Sequence, residues 1–194
     1  MRSGNWQALG TGSVLGHLRA DLKQSSSTVW VVGPWIDAFF AEFLVSVLPA
    51  VTELRVVTRP LNGANSGFVD HAIAARACLE QRPKTVVKFL ANLHAKVVVV
   101  EEQIAYCGSA NWYRYSLEQS REIVLRGPMA NVTGLLDEIQ VIWDQATDEP
   151  RSERLVKAET TAEGYTKEVI DPVAAAKLKE VPGSFVISRP SRRR

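Results

Sequence analysis

A histidine and a lysine two positions apart, and a serine and an asparagine in a later turn, are the side chains of this sequence best suited to chemistry on a phosphate. His94 and Lys96 stand at the start of the most strand-like run, and Ser109 and Asn111 follow the next such run. The lysine cation and the hydroxyl and amide donors can hold phosphoryl oxygens. Histidine can attack phosphorus or protonate a leaving oxygen. These residues predict phosphoryl chemistry if the fold brings them together.

A predicted β-hairpin is the element that must bring them together. The β-branched run at 95–100 and the run at 104–107 are separated by a three-residue polar turn. Because side chains alternate along a strand, His94 and Lys96 are expected on one face of the sheet. If the two strands pair in register, the turn that begins at Gly108 returns close to His94.

The rest of the chain, through about residue 147, alternates strand-like runs with amphipathic stretches. This alternation predicts an α/β fold in which a sheet is sandwiched between helices, and the hairpin requires that the sheet be mixed. Asp37 is the expected N-cap of the second helix. Helices are predicted over 6–23, 37–48, 69–80 and 132–147, and further strands over 28–32, 54–58, 85–90 and 120–126.

The composition is that of an ordinary globular domain, and it excludes several classes of protein. Of the 194 residues, 46% are hydrophobic and 23% are charged, and the formal net charge is +2. That charge excludes a strongly basic nucleic-acid coat protein, although local recognition of phosphate remains compatible with it. The two cysteines exclude a disulfide framework and a cysteine-rich metal site, and the three histidines are too scattered to predict a zinc site.

No targeting or membrane-spanning segment is legible in the sequence. The N-terminal residues lack the continuous apolar region of a secretory signal, and the most apolar stretch, 39–51, is too short to cross a bilayer. A soluble, cytoplasmic protein is therefore expected. A periplasmic protein whose signal had been removed would look the same.

The composition changes near residue 148. Residues 1–147 are expected to form the domain, and 148–194 form a more charged segment with fewer apolar residues that ends in three arginines. We interpret this segment as a tail that is loosely docked or ordered by a partner. A short helix is compatible with the sequence at 173–180.

The spacing of these histidine, lysine, serine and asparagine residues resembles the HKD motif of the phospholipase D superfamily, written H-x-K-x4-D-x6-G-S-x-N. Glu101 stands at the aspartate position, and we expect it to affect the turn more than the chemistry because it faces away from His94. The positions that match are His94, Lys96, Gly108, Ser109 and Asn111.

Two further segments extend the resemblance to about residues 28–126. The strand that begins near Glu122 is similar to a family strand whose glutamate hydrogen-bonds the catalytic histidine. The run 31–35 is similar to the first family strand, which ends in an apolar-Pro-aromatic sequence. The resemblance implies that Glu122 orients the ring of His94.

Only one HKD motif is present, whereas the active site of the superfamily needs two. Single-motif members, typified by small bacterial endonucleases, supply both as a homodimer. The resemblance implies that one His94 attacks to form a phosphohistidine and the other protonates the leaving oxygen, with no metal or cofactor. It implies a phosphodiesterase acting on DNA. The alternatives are a hydrolase of phospholipids or other small phosphodiesters, and a catalytically silent nucleic-acid-binding module. A partner that supplies target recognition stays open.

Four further residues are candidates for contacts with the substrate. Trp35 and Trp112 are expected near the mouth of the site, where an indole can stack on a base, although packing in the core or a dimer interface suits them equally. Arg59 and Arg114 could contact flanking phosphates, and solvated surface positions are the alternative for both.

Overall fold

The computed structural model describes residues 5–60, 66–148, 156–160 and 166–170. The chain divides into two units, Met1–Arg151 and Ser152–Arg194. The second contains a two-stranded antiparallel sheet, and the first contains all the other elements. In chain order the elements are β1 (Gln7–Gly10), α1 (Val14–Leu22), β2 (Thr28–Val32), α2 (Ala38–Val47), β3 (Glu53–Thr58), α3 (Ser66–Gln81), β4 (Thr85–Phe89), β5 (Val97–Val100), β6 (Ile104–Gly108), α4 (Arg114–Glu118), β7 (Ile123–Pro128), α5 (Leu135–Gln145), β8 (Val156–Thr160) and β9 (Thr166–Ile170).

Seven strands of the first unit form one mixed sheet in the order β1-β7-β6-β5-β2-β3-β4. The strands β2, β3 and β4 are parallel because α2 and α3 connect them as crossovers, and the other neighbouring pairs are antiparallel. Asp37 caps α2, since its carboxylate accepts a hydrogen bond from Phe40 N–H at 2.9 Å. The predicted mixed α/β sandwich is confirmed.

Alternate side chains of the central strands enter two separate cores. Val98 and Val100 of β5 join the core that packs against α1, α2 and α3. Val97 and Val99 join the core on the other face, which α5 covers with Ile139. Because the sheet is covered on both sides, the continuous run of β-branched valines fills both cores, whereas an alternating apolar–polar run would place polar side chains in one of them.

A partly buried ion pair fixes α1 to β6 and β7. Arg126 of β7 donates to both carboxylate oxygens of Asp21, at 2.7 and 2.8 Å, and the Tyr106 hydroxyl donates to the same carboxylate. Burial, and then the neighbouring Asp21 carboxylate, raise the pKa of Tyr106. This network satisfies the polar groups that lie between α1 and the sheet.

The predicted helix over 6–23 is wrong in its first part. Residues Gln7–Gly10 form an edge strand that pairs with β7, and the helix begins only at Val14. Gly12, which lies between them, has a φ of +83°. The free edge of β7 offers backbone partners, and this long-range pairing overrides the helical spacing of the apolar residues.

Three smaller differences concern strand boundaries and the C-terminal segment. The strand expected over 95–100 begins at Val97, so His94 and Lys96 precede it, and the strand expected over 120–126 runs instead from Ile123 to Pro128. The segment interpreted as a tail contains the hairpin of β8 and β9, which the sequence did not predict. The predicted helix at 173–180 lies outside the described residues. In the described part of the chain, no helix has the length and apolar character needed to span a membrane.

The turn between β5 and β6 is built by two glutamates in the left-handed region. Glu101 and Glu102 have φ values of +54° and +55°, and Gln103 N–H donates to the carbonyl of Val100 at 3.0 Å. Positive φ at both central residues is the mark of a type I′ turn, whose twist matches that of paired strands. The Glu101 carboxylate accepts hydrogen bonds from backbone N–H groups of the loop before β2, with Ser27 N at 3.1 Å. Glu101 therefore shapes the turn with its backbone, and its carboxylate ties the turn to the loop before β2.

Replacing Glu101 by glutamine is expected to remove a pH-dependent part of the stability. Hydrogen bonds to the carboxylate, chiefly from Ser26 N–H, hold the pKa of Glu101 below its ordinary value. A carboxyl group with a lowered pKa stabilises the fold above its unfolded pKa, and this contribution disappears as the pH falls through the folded pKa. The difference in unfolding free energy between wild type and Glu101→Gln should therefore be largest near pH 7 and shrink below about pH 4. Urea unfolding at several pH values measures it.

The matched control is Glu102→Gln, at the neighbouring position of the same turn. It leaves the hydrogen bonds to the Glu101 carboxylate in place, so the pH-dependent contribution of Glu101 should be retained. Identical pH dependence for the two variants would contradict the assignment of the effect to the Glu101 carboxylate.

Candidate active site

The residues predicted to carry the chemistry lie at one edge of the sheet. His94 and Lys96 precede β5, Ser109 and Asn111 follow β6, and Glu122 precedes β7. Because β6 is antiparallel to both of its neighbours, the start of β5, the end of β6 and the start of β7 meet at the same edge. The hairpin therefore places these segments beside one another.

Glu122 is held by hydroxyl groups on both of its carboxylate oxygens. Ser109 Oγ donates to Oε2, and Ser116 Oγ donates to Oε1 at 2.7 Å. Burial favours the neutral acid, but hydrogen bonds from Ser109, Ser116 and Ser120, together with the charge of Lys96, outweigh burial and hold the pKa of Glu122 below its ordinary value. The site therefore contains a fixed carboxylate anion.

Two cations lie together next to that carboxylate. Lys96 is partly buried, and its Nζ donates to the His94 carbonyl oxygen at 3.0 Å. Burial, and then the charge of Arg59, lower the pKa of Lys96, while Glu122 opposes the shift. Arg59 Nε also donates to the Leu93 carbonyl oxygen at 2.5 Å, so it holds the segment that carries the histidine. Neighbouring like charges favour a bound anion between them.

The turn after β6 has its shape because of a close approach to β7. A Cβ atom on Gly108 would collide with the carbonyl oxygen of Ile123, so only glycine fits. The next amide, Ser109 N–H, donates to that same carbonyl at 3.1 Å. Asn111 N–H donates to Ser116 Oγ at 3.0 Å, whereas the buried Asn111 Oδ1 has no hydrogen-bond partner among the described residues. The turn thus presents the serine and asparagine side chains at the edge of the sheet.

The ring of His94 is exposed and makes no hydrogen bond with the described part of the chain. The expected hydrogen bond between this ring and the Glu122 carboxylate is absent, and both carboxylate oxygens accept from serine hydroxyls instead. An exposed ring leaves its nitrogens accessible to a substrate or to a second molecule.

The structure corrects the expectation that Trp112 lines the mouth of the site. Trp112 is fully buried, stacks on Phe40 with ring centroids 5.3 Å apart, and donates from Nε1 to the Val32 carbonyl at 2.9 Å. Its ring occupies the space that a Cβ on Gly33 would need. Trp112 is therefore a core residue and cannot stack on a base.

The remaining candidates for substrate contacts differ in their surroundings. Trp35 is half-buried, and the Arg59 guanidinium lies 5.6 Å from the centre of its ring, so both belong to the neighbourhood of Lys96. Arg114 lies on the exposed side of α4, where it pairs with Glu118 at 2.9 Å and covers the ring of Phe39. The structure brings Trp35 and Arg59 to the site and gives Arg114 partners on the helical surface.

Two residues that position Glu122 were not predicted. Ser116 lies on α4, and Thr11 Oγ1 accepts a hydrogen bond from Glu122 N–H at 3.1 Å and donates to the Ser120 carbonyl. Neither has a recognisable signal, because a single serine in a short helix and a threonine between glycines are ordinary residues. Only the folded contacts reveal them: Thr11 is 111 positions away from Glu122, and Ser116 is six positions away, on α4.

An exposed apolar surface adjoins the site on the face of the sheet that α5 leaves open. Ile123 is 62% exposed and Leu125 is 42% exposed. Ala8 of β1 and Cys107 of β6 stand opposite Leu125 in the sheet and therefore lie on the same face. We call these four residues the β7 patch. It lies beside the site, since Ile123 N–H donates to Ser109 Oγ at 3.2 Å.

Comparison with known proteins places this geometry in a family. Residues 18–143 match the model described as "Cardiolipin synthase, PLD-like domain". No curated protein matches the sequence at a significant level.

Three solved structures show the same fold. NucT from Helicobacter pylori has 16% identity and a TM-score of 0.60, over 75% of this chain and 100% of its own. Nuc from Salmonella typhimurium, a phospholipase D family member, has 15% identity and a TM-score of 0.61, over 75% and 99%. The phosphatidylserine synthase of Haemophilus influenzae Rd KW20 has 12% identity and a TM-score of 0.57, over 92% and 46%. The family model covers most of the first unit, and the chain therefore belongs to the phospholipase D superfamily, as its HKD-like motif predicted.

Proposed function

We propose that this protein is a metal-independent phosphodiesterase that hydrolyses DNA and works as a homodimer. The observation that carries the proposal is that two cations, Lys96 and Arg59, bind the adjacent carbonyls of His94 and Leu93, at the edge of the sheet where Ser109 follows β6. Two cations and a hydroxyl donor provide the charge stabilisation that a phosphoryl group needs as it is transferred. The exposed ring of His94 supplies the nucleophile.

The reaction then has two steps. A ring nitrogen of His94 attacks phosphorus and forms a P–N bond, while the bond from phosphorus to the leaving oxygen breaks and that oxygen takes a proton from His94 of the second copy. Water next attacks phosphorus, gives its proton to that second histidine, and releases the first His94 as the P–N bond breaks. Lys96, Ser109 and Asn111 stabilise the negative charge in both transition states.

The β7 patch supports assembly as a dimer. Apolar surface of this kind next to a polar site is typical of protein interfaces. An interface around a two-fold axis buries the same patch on both copies. Since Ile123 contacts Ser109, a copy docked on the patch would bring its own site next to the first.

DNA is favoured as the substrate by the aromatic and cationic side chains beside the proposed phosphate position. Trp35 is half-buried, so part of its indole faces the solvent, and Arg59 lies over the same ring. A base can stack on such an indole while its phosphate contacts the cations. The proposed substrate is therefore a polynucleotide whose flanking nucleotide contacts Trp35.

A phospholipid is the second candidate, and one observation favours it. An apolar pocket opens next to Arg59, between α3 and the parallel strands. It is lined by Ala75, Leu79 and Phe89, together with Trp35 and Arg59. A phosphodiester that carries an apolar substituent could place that substituent there.

The experiment that separates the candidates uses the full chain in excess EDTA, with supercoiled plasmid in one arm and phosphatidylglycerol vesicles in the other. We expect nicking of the plasmid and no release of the lipid headgroup. Headgroup release without nicking would replace DNA by phospholipid as the substrate. No turnover in either arm would contradict both candidates.

A further inference from the structure

Ser116 connects two parts of the candidate site through one buried hydroxyl group. The residue is fully buried in α4. Its Oγ donates to Glu122 Oε1 at 2.7 Å and accepts from Asn111 N–H at 3.0 Å. A hydroxyl has a single hydrogen, so its only donor is committed to the carboxylate. No solvent reaches this hydroxyl to replace either partner.

Ser109 binds the same carboxylate but stands in a different environment. It is exposed at the edge of the sheet, its Oγ donates to Glu122 Oε2, and it accepts from Ile123 N–H at 3.2 Å. An exposed hydroxyl can rotate toward a new acceptor, whereas a buried one cannot do so without leaving a group unsatisfied. Of these two donors to Glu122, Ser116 is therefore permanent and Ser109 is exchangeable.

We propose that Ser116 is a positioning residue that holds Glu122 in place while Ser109 turns from the carboxylate to a bound phosphoryl oxygen. This proposal deepens the proposed phosphodiesterase function and rests on it. The rotation of Ser109 frees a lone pair of Glu122 Oε2, which then accepts a hydrogen bond from the ring of His94. Binding of the phosphate would thus prepare the histidine, and Ser116 keeps the carboxylate from moving during the exchange.

The groups that face Glu122 determine what the loss of Ser116 would do. Lys96 is the charged group beside the carboxylate, with Arg59 next to it, and Ser120 is a further hydroxyl donor. Removing the Ser116 hydroxyl takes a donor from a carboxylate that stays partly buried, so the pKa of Glu122 should rise. It also leaves the Asn111 N–H without its acceptor.

The test compares Ser116→Ala and Ser116→Cys with wild type in the full-length protein. Cysteine preserves the buried volume and is a weak donor, so it separates loss of the hydrogen bond from loss of packing. The first readout is the titration of the Glu122 side-chain carboxyl carbon by NMR, which needs no activity. We expect a higher pKa of Glu122 in both variants. The matched control is Ser46→Ala, which removes a hydroxyl that bonds a helix carbonyl in α2, and it should leave that pKa unchanged.

The second readout is the hydrolysis of bis(p-nitrophenyl) phosphate. We expect kcat to fall by about tenfold to a hundredfold with little change in KM, and the acid limb of the pH–rate profile to move to higher pH. An unchanged pKa of Glu122 in both variants would overturn the proposal, as would an unchanged kcat. If wild type cleaves no phosphodiester while the pKa still rises, the proposed function fails and the hold of Ser116 on Glu122 stands.

Discussion

His94→Ala is expected to lower the rate of EDTA-resistant plasmid nicking by about a thousandfold or more. In a homodimer, the substitution removes both the nucleophile and the proton donor of the shared site, and the cations that remain can only bind the phosphate. The fold should not change, because the His94 ring is exposed and makes no hydrogen bond with the described residues. The initial rates of nicking, at equal protein concentration, measure the effect.

The matched control for this prediction is His71→Ala, an exposed histidine on α3. It should nick at the wild-type rate, so a loss in both variants would not be attributable to the site. Equal rates for wild type and His94→Ala would remove His94 from the chemistry on this substrate. An acid quench adds an independent check, because a phosphohistidine is labile to acid and should be trapped only at neutral or higher pH.

Leu125→Asp is expected to convert the proposed dimer into a monomer and to lower the nicking rate by about a hundredfold or more. A two-fold interface over the β7 patch would bury the new carboxylate twice, without a partner, and each uncompensated buried charge costs several kcal/mol. The side chain of Leu125 is 42% exposed, so the fold of one copy tolerates the charge. Sedimentation velocity gives the oligomeric state, and the nicking rate gives the functional consequence.

Val51→Asp is the matched control for Leu125→Asp. Val51 is 60% exposed and lies between α2 and β3, outside the β7 patch. It should leave both the dimer and the rate unchanged. A monomeric Leu125→Asp variant that nicks at the wild-type rate would show that one copy suffices for the chemistry.

Subunit exchange joins the two predictions. Excess His94→Ala protein, mixed with wild type, should suppress nicking because mixed dimers have a single histidine. The double variant of His94→Ala and Leu125→Asp should not suppress it, since it no longer assembles. Suppression by the double variant would show that the loss of nicking does not come from subunit exchange across the β7 patch.

Elements that depend on neighbours in the chain were predicted from the sequence. The valines of β5 and the polar turn at Glu101 are close in sequence, and the turn has the expected position because both strands and their connection lie within about a dozen residues. The cap of α2 by Asp37 was predicted for the same reason, since the carboxylate binds an amide three residues later. Local geometry decides both features.

The N-terminal strand and the position of Trp112 could not be predicted from neighbouring residues. Residues Gln7–Gly10 have the spacing of a helix, but their partners on β7 lie more than a hundred positions away in the chain. An indole has the same sequence signature in a core as at the mouth of a site, and the packing of Trp112 on Phe40 joins two distant segments. In both cases a long-range contact outweighs the local preference.

The sequence by itself determined which residues could carry the chemistry: their types and spacing identified His94, Lys96, Ser109 and Asn111, and led to the family. Only the tertiary structure decided how they are used. It placed both oxygens of Glu122 on serine hydroxyls, set Arg59 beside Lys96, and left the β7 patch open next to the site. The physical reason is that the reactions open to a residue depend on its own side chain, whereas its charge state, orientation and exposure depend on groups that meet only when the chain is folded.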